Sequence, residues 1–134
     1  TVFLSRPDKG WPEAFALVDK SSGKMIGTCD FWPVLGDECY EMGYILNPNY
    51  WCQGIMTEAA SRVLQFAFED YGVRRMSIRH KSHNIGSKKV IEKLGFNHEG
   101  TQKSVFIANE RAIDIEFYGL LKEEYDEKRI RKKI

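Results

Sequence analysis

The sequence lacks long hydrophobic runs, and no stretch approaches the roughly 20 apolar residues that a membrane-spanning helix requires. Its beginning, TVFLSRPDKG, has neither the basic flank nor the apolar centre of a signal peptide. An excess of one charge is also missing, because 20 Lys and Arg stand against 19 Asp and Glu, for a formal net charge of +1. We therefore expect neither a membrane nor a nucleic-acid partner, and any bound anion needs a local site.

Cysteine is scarce as well. Cys29, Cys39 and Cys52 are an odd number of thiols without metal-like spacing, so we expect neither a disulfide framework nor a metal site. Reduced thiols of this kind are typical of a cytoplasmic protein. Core material is plentiful, because 43% of the 134 residues are hydrophobic and 13% are aromatic. The composition therefore predicts a single domain over residues 1–134.

The order of predicted elements indicates an α/β fold. The first twelve residues contain Pro7, Gly10 and Pro12, and they predict a loose lead-in rather than an element. We predict strands over 13–19, 25–32, 39–46 and 73–80, two strands within 96–120, and helices over 56–71, 87–94 and from 121 onward. A strand, helix, strand order implies a partly parallel sheet flanked by helices.

The segment NPNYWCQGIMTEA, residues 47–59, is the most informative part of the chain. A strand ends, a short loop with one glycine follows, and a helix begins, which leaves first-turn N–H groups unpaired. The helix dipole adds positive potential, and Gly54 allows a phosphate to approach the backbone closely. From the residues alone, Gly54 is more simply explained as a tight-turn residue. The spacing fits neither a Walker loop nor a dinucleotide-binding turn.

A second strand-to-helix junction occupies HNIGSKKVIEKLGF, residues 83–96. Ser87 lies where a residue can cap the helix, and Asn84 lies just ahead of it in the loop. From the residues alone, a capping role for Ser87 is the simplest interpretation.

Together these segments resemble the GNAT superfamily of acetyl-CoA-dependent N-acetyltransferases, in the branch of the ribosomal-protein alanine acetyltransferases RimJ and RimL. The resemblance runs from about Trp11 to Tyr125. It rests on the order and spacing of MIGT (25–28), EMGYIL (41–46), YWCQGIMTEA (50–59), NIGS (84–87) and EKLGF (92–96). The family's loop pattern keeps only Gly54 here, because Trp51 and Met56 occupy two of its other positions, so a bulkier loop is expected.

The resemblance implies a mixed central sheet with a splayed pair of strands that holds acyl-CoA. The pantetheine arm would pair with the backbone of Tyr44, Ile45 and Leu46, and Asn84 would contact it. The pyrophosphate would lie on the N–H groups of Cys52, Gln53, Gly54, Ile55, Met56 and Thr57.

The implied reaction is attack of a neutral amine on the acetyl thioester. Glu41 is the candidate general base, because strand alternation puts it on one face with Gly43 and Ile45, near the acyl group. The alternative interpretation of Glu41 is a carboxylate on a half-exposed strand.

The resemblance also implies a proton donor for the leaving thiolate. Other branches carry a Glu and a Tyr where this chain has Arg79 and Ile91, so the common tyrosine acid is absent. Ser87 or a bound water is then the candidate donor. His80 and His83 flank the same strand end and are either alternative site residues or structural histidines.

The expected function is acetylation of a primary amine in a ternary complex, most simply the α-amine of a protein or peptide N terminus. A polyamine or another small amine is an alternative acceptor, and a non-catalytic CoA-binding module is an alternative of another class. The family's first strand and two helices are expected to be missing before Trp11. The sheet edge left open would be compatible with a monomer or a homodimer.

Overall fold

A computed structural model describes residues 2–5 and 14–133 of the chain. Its first element corrects the sequence prediction, because β1 (Val2–Ser5) is a strand and not part of a loose lead-in. β1 pairs antiparallel with β2 (Ala14–Asp19) and covers the edge of β2 that the sequence prediction left open. Pairing with an available edge and packing of Leu4 on the core hold a segment too short to be recognised from its own pattern. Pro7, Gly10, Trp11 and Pro12 lie outside the described residues.

The remaining elements follow the predicted order. They are β3 (Met25–Pro33), β4 (Cys39–Leu46), α1 (Ile55–Gln65), β5 (Arg75–Lys81), α2 (Ile85–Lys93), β6 (Asn97–Ala108), β7 (Arg111–Leu121) and α3 (Lys122–Lys133). The described strands form one seven-stranded sheet in the order β1-β2-β3-β4-β5-β7-β6. Only β4 and β5 pair in parallel among them, which confirms the predicted mixed, partly parallel sheet.

The predicted helix over 56–71 corresponds to α1 and a π-helical turn that continues it over Phe66–Asp70. Gly72, with φ of +77°, follows this turn and ends the helical segment as predicted, because a left-handed conformation suits glycine. None of the helices in the described ranges is both long and apolar enough to cross a membrane.

The parallel pair β4–β5 is splayed. Its paired rungs run only from Cys39 opposite Arg75 to Glu41 opposite Ser77. Beyond these rungs β4 continues along β3 and β5 continues along β7, and no further β4–β5 rung joins the described residues. The two strands therefore diverge as a fork, which is the splayed pair that the sequence resemblance implied.

The two faces of the sheet have different environments. We call the face against which the three described helices pack the helix face. Its buried residues include Phe15, Leu17, Cys29, Phe31, Met42, Met76, Ile78 and Leu120, and they form one core cluster with residues of α1 and α2 and with Tyr125 of α3. Alternation along the strands places the intervening residues on the opposite side, which we call the open face. The open face carries Trp32, Glu41, Gly43, Ile45, Ser77, Arg79, Lys81, Ile115 and Phe117.

Candidate functional site

The loop before α1 presents an uncapped helix N terminus. Gly54 occupies the N-cap position with φ of +75°, and it has no side chain to accept from the first-turn N–H groups. The first backbone bond of the helix runs from the Glu58 N–H to the Gly54 carbonyl. The N–H groups of Ile55, Met56 and Thr57 therefore lie in the first turn ahead of that bond. A Cβ on Gly54 would meet nothing within 4 Å, so the space in front of the loop is open.

The rest of this loop is shaped by a left-handed residue and by an indole. Cys52 has φ of +61°, and Cys52 and Gln53 are exposed. The Trp51 Nε1–H donates to the Leu46 carbonyl at 2.8 Å, so the exposed indole lies over the end of β4. This is the bulkier loop that the sequence led us to expect. The geometry suits an anion on the backbone of residues 52–57, and that assignment stays a prediction.

Fewer residues of the predicted pantetheine edge have backbone groups free to pair with a ligand than the sequence suggested. The Asn47 N–H bonds to the Ile26 carbonyl of β3, so Asn47 faces β3. Because backbone groups of successive strand residues point to alternate sides, Ile45 also faces β3, whereas Tyr44 and Leu46 face the fork. The Leu46 carbonyl is already used by Trp51. The backbone of Tyr44 is thus the best-placed part of the predicted edge, and Ile45 offers only a side chain that is 73% exposed.

The junction after β5 corrects the capping assignment. Asn84, not Ser87, is the N-cap of α2, and its side-chain oxygen accepts from the Ser87 N–H at 3.1 Å. An asparagine side chain reaches the N3 amide readily, which places Ser87 inside the first turn. The Ser87 hydroxyl is therefore not used for capping, and the Asn84 side-chain NH₂ remains available to a ligand.

Tyr44 carries a hydroxyl that is buried without a hydrogen-bond partner. Burial raises the pKa of this phenol, the nearby Ser87 hydroxyl lowers it, and the Cys29 thiol raises it further. Tyr44 and Ser87 are thus neighbours on the helix-face side of the fork, although no well-formed hydrogen bond joins them. An orphaned buried hydroxyl costs about 1–3 kcal/mol, so a group with which it could pair, such as the end of an acyl-CoA chain in the fork, would fit this position.

Glu41 lies on the open face, at the last paired rung of the fork. Only 8% of the residue is exposed, although no described helix covers this face. Arg79 explains part of this burial, because its Nε lies 3.1 Å from Glu41 Oε1. Trp32 is paired with Glu41 across β3 and β4, and its indole packs so closely over Gly43 that a Cβ there would lie 2.7 Å from Cη2. The Glu41 carboxylate is therefore nearly buried and is oriented by the ion pair with Arg79; it is not freely solvated.

Glu41 and Ser87 approach the fork from opposite faces of the sheet. The resemblance gave both side chains a role at the thioester, and no direct contact joins them in the described part of the chain. A thioester lying in the gap between β4 and β5 would have Glu41 on its open-face side and the hydroxyls of Ser87 and Tyr44 on its helix-face side. The two catalytic assignments stay predictions.

The two candidate histidines have different environments. His80 is buried on the helix face, where its Nδ1–H donates to the Lys81 carbonyl at 2.7 Å. Its Nε2 then accepts from the Tyr118 hydroxyl at 3.2 Å, and the two rings stack. Both ring nitrogens are occupied, which favours the structural interpretation of His80. His83 lies exposed in the turn before α2.

Sequence reasoning missed two features of this site, the unpaired hydroxyl of Tyr44 and the contact between Arg79 and Glu41. The alternation of β5 could have placed Arg79 on the face of Glu41, but only the parallel register brings them together. Two further aromatic residues, Trp32 and Phe106, lie on the open face, whereas the Tyr40 ring packs against Phe31 and Tyr71 on the other face.

The three cysteines are free thiols, with Cys29 and Cys39 buried and Cys52 exposed. Burial raises the pKa of the Cys29 thiol, so this group is unreactive at neutral pH. Within residues 2–5 and 14–133, no group of three or more His, Cys, Asp or Glu side chains is arranged to hold a metal ion.

Comparisons with known proteins agree with this architecture. Residues 3–97 match the model of the acetyltransferase (GNAT) domain. The chain is 30% identical over 125 residues to the uncharacterized N-acetyltransferase YnaD of Bacillus subtilis, covering 93% of this chain and 74% of that protein.

Two solved structures are also similar. The ribosomal-protein-S5-alanine acetyltransferase of Vibrio fischeri superposes with a TM-score of 0.75 at 26% identity, over 84% of this chain and 62% of that one. The spermidine/spermine N-acetyltransferase of Vibrio cholerae superposes with a TM-score of 0.77 over 86% of this chain and 69% of that one. At 20% identity, the second similarity concerns the fold alone.

Proposed function

We propose that this chain, which belongs to the GNAT acetyltransferase family, acetylates the α-amine of a protein or peptide N terminus. The family assignment itself makes the protein an acyltransferase, and GNAT acetyltransferases use acetyl-CoA as the acetyl donor. The proposal concerns the acceptor amine and the residues that serve the reaction. The observation that carries it is the fork between β4 and β5, with Glu41 on one side and Ser87 and Tyr44 on the other.

In the proposed reaction, the lone pair of a neutral amine attacks the thioester carbonyl carbon. A C–N bond forms, the C–S bond breaks, and the CoA sulfur leaves with the bonding electron pair. Glu41 accepts the proton that the amine loses, through its Oε2 atom, since the contact with Arg79 Nε is made by the other oxygen, Oε1. The backbone N–H of Tyr44, directed into the fork, polarises the carbonyl oxygen.

The departing thiolate needs a proton from the helix-face side of the fork. The Tyr44 phenol is protonated at neutral pH, as any phenol with an ordinary or raised pKa is, so it has a proton to donate. Ser87 lies beside it, in the first turn of α2. We therefore assign proton donation to the Tyr44 and Ser87 pair, which replaces the tyrosine that other branches carry at the position of Ile91.

An N-terminal α-amine suits a site with one carboxylate. Its pKa of about 8 leaves part of the amine neutral at pH 7, whereas an alkyl amine with a pKa near 10.4 requires more help. The Vibrio fischeri relative supports a ribosomal protein N terminus as one acceptor of this kind. A polyamine is the second candidate acceptor, and for it the support is a similarity of fold only.

Calorimetric titration of the 134-residue chain with acetyl-CoA is the first test. Micromolar binding supports an acetyl-CoA site in the fork between β4 and β5. It also argues against a domain that has lost this site. Thiol release is then measured with a peptide bearing a free N terminus, with the same peptide N-acetylated, and with spermidine. Turnover of the free peptide alone supports the proposal, and turnover of spermidine alone overturns it. Binding without turnover of either acceptor would indicate a non-catalytic CoA-binding module.

A further inference from the structure

A cavity of about 270 Å³ opens on the open face, immediately beside Arg79. Its polar lining includes Arg79, Lys81 and Gln102, and its apolar lining includes Phe106, Ile115 and Phe117. Arg79 lines the cavity and also forms an ion pair with Glu41, so the cavity lies next to the proposed base. A liquid water takes up about 30 Å³, so this space can hold an amino-acid side chain.

An irregularity in β6 builds one wall of the cavity. The register with β7 runs from Gln102 opposite Ile115 directly to Phe106 opposite Ile113, so β6 contains extra residues between these rungs. Ser104 adopts φ of +54°, and its N–H is held by the Asp114 carboxylate at 2.8 Å. A bulge of this kind re-aims the side chains that follow it. It brings Phe106 against the end of Lys81, whose Nζ lies 5.2 Å from the ring centroid.

The charges around the cavity are divided between the strands. Glu41 lies on β4, and the cations Arg79 and Lys81 lie on β5, two residues apart and therefore about 7 Å apart along the strand. Arg79 is shared between Glu41 and the face of Phe117, at 5.9 Å from the ring centroid. Lys81 makes no ion pair with any described carboxylate. The cavity thus has one carboxylate at its entrance and an excess of positive charge inside.

We propose that this cavity selects acceptors that carry an acidic group close to the reacting amine. The inference rests on the proposed function, because Glu41 defines the amine end. With the amine at Glu41, a carboxylate on the first or second residue of the acceptor reaches Arg79 and Lys81, and its methylene groups lie against Phe106 and Phe117. A polyamine in the same position would bring a second ammonium towards two cations. The shared chemistry is a carboxylate-bearing primary amine, from a peptide N terminus or a free amino acid.

Lys81 is the residue through which the proposal is tested, because it lines the cavity and does not touch Glu41. Thiol release is measured with acetyl-CoA and three peptides that begin Ala-Glu, Ala-Gln or Ala-Lys and are otherwise identical, and with free glutamate and spermidine. We expect kcat/KM to fall in the order Ala-Glu, Ala-Gln, Ala-Lys, with the range shrinking as ionic strength rises. Lys81→Gln should lower kcat/KM about two- to fivefold for Ala-Glu and leave it unchanged for Ala-Gln.

Lys93→Gln is the matched control, because Lys93 is an exposed lysine near the end of α2, among the helices that pack on the other face. It should leave the order of the peptides unchanged. Equal rates for the three peptides, or an equal loss for all of them in Lys81→Gln, would overturn the inference. Turnover of free glutamate but not of Ala-Glu assigns the carboxylate to a free amino acid, and the reverse assigns it to a peptide.

A separate binding measurement distinguishes failure of this inference from failure of the proposed function. If no acceptor is turned over, the acetylation proposal fails. The CoA-saturated chain is then titrated with N-acetylated Ala-Glu peptide, and amide and aromatic NMR shifts are followed. Shifts at Lys81 and Phe106 that disappear in Lys81→Gln support an anion-binding cavity. Their absence overturns it.

Discussion

Glu41 and Arg79 form an ion pair across the fork between two parallel strands, with Arg79 Nε 3.1 Å from Glu41 Oε1. The pair lies on the sheet face that no described helix covers, yet the Glu41 side chain is only 11% exposed. Arg79 itself is 55% exposed and reaches the wall of the neighbouring cavity. One guanidinium therefore orients the proposed base and contributes to the proposed acceptor pocket.

Glu41→Gln should lower kcat by about a hundredfold or more, because the amide cannot accept the amine proton in place of the carboxylate. Acetyl-CoA affinity should stay within about twofold of the parent, since the proposed pyrophosphate and pantetheine sites do not include this side chain. Steady-state thiol release and calorimetry measure the two quantities. An unchanged kcat would remove Glu41 from the mechanism.

Tyr44→Phe should separate stability from activity. The substitution removes a buried hydroxyl without a partner, so the free energy of unfolding of the unliganded chain should rise by about 1 kcal/mol. The same change should lower kcat about tenfold, which is less than the roughly hundredfold minimum typical of a general acid, because a thiolate leaves readily. Tyr40→Phe, on the same strand and face, is the control and should leave kcat unchanged. Loss of stability together with unchanged kcat would contradict the assignment.

The phenol of Tyr44 should titrate above its ordinary pKa of 10.0, because burial disfavours the phenolate. The unfolded chain then loses this proton before the native one does. The contribution to stability is therefore complete below pH 10 and is lost as the pH rises above it. The difference between the tyrosinate absorbance titrations of the parent and of Tyr44→Phe isolates this group. A midpoint at or below 10.0 would be incompatible with the buried hydroxyl.

Gly54→Ala and Gly23→Ala form a matched pair. Both glycines have positive φ, +75° and +71°, and at both a Cβ would meet nothing within 4 Å. Each substitution should cost roughly 1–2 kcal/mol of unfolding free energy from backbone strain. Only Gly54→Ala should also weaken acetyl-CoA binding, because a methyl group there stands in front of the proposed phosphate site. Equal calorimetric affinities for the two variants would argue against a pyrophosphate at this loop.

Gly43→Ala should displace Trp32, because the new methyl group would lie 2.7 Å from the indole Cη2. Overpacking of this kind costs about 1–3 kcal/mol, which thermal or chemical unfolding measures. Trp32 is the cross-strand neighbour of Glu41, so we expect kcat to fall as well. Gly43→Ala combined with Trp32→Phe, which shortens the ring, should recover most of the lost stability. No recovery in the double variant would place the strain elsewhere.

Local sequence determined most of the elements of this fold. The short aromatic segment between the turn at Gly36 and Asp37 and the turn at Asn47 and Pro48 predicted β4 with its observed bounds, Cys39–Leu46. The change to helical spacing predicted α1, and the two strand-to-helix junctions predicted where backbone N–H groups are exposed. These features depend on interactions within a few residues, so a linear pattern can carry them.

Tertiary structure decided the features that join distant parts of the chain. β1 exists because the edge of β2 was available to pair with it, and four residues are too few to show a period. Asn84 took the capping position from Ser87 because loop geometry, and not residue type, selects the cap.

The chemistry of the site follows the same division. The sequence by itself determined that Glu41 lies on a strand and that Gly54 and Ser87 lie at the two strand-to-helix junctions. Only the parallel register placed Arg79 against Glu41, and only packing of α2 on β5 brought Ser87 to the buried hydroxyl of Tyr44. Charge pairing and desolvation depend on through-space distance and on exclusion of water, and neither quantity is encoded in spacing along the chain.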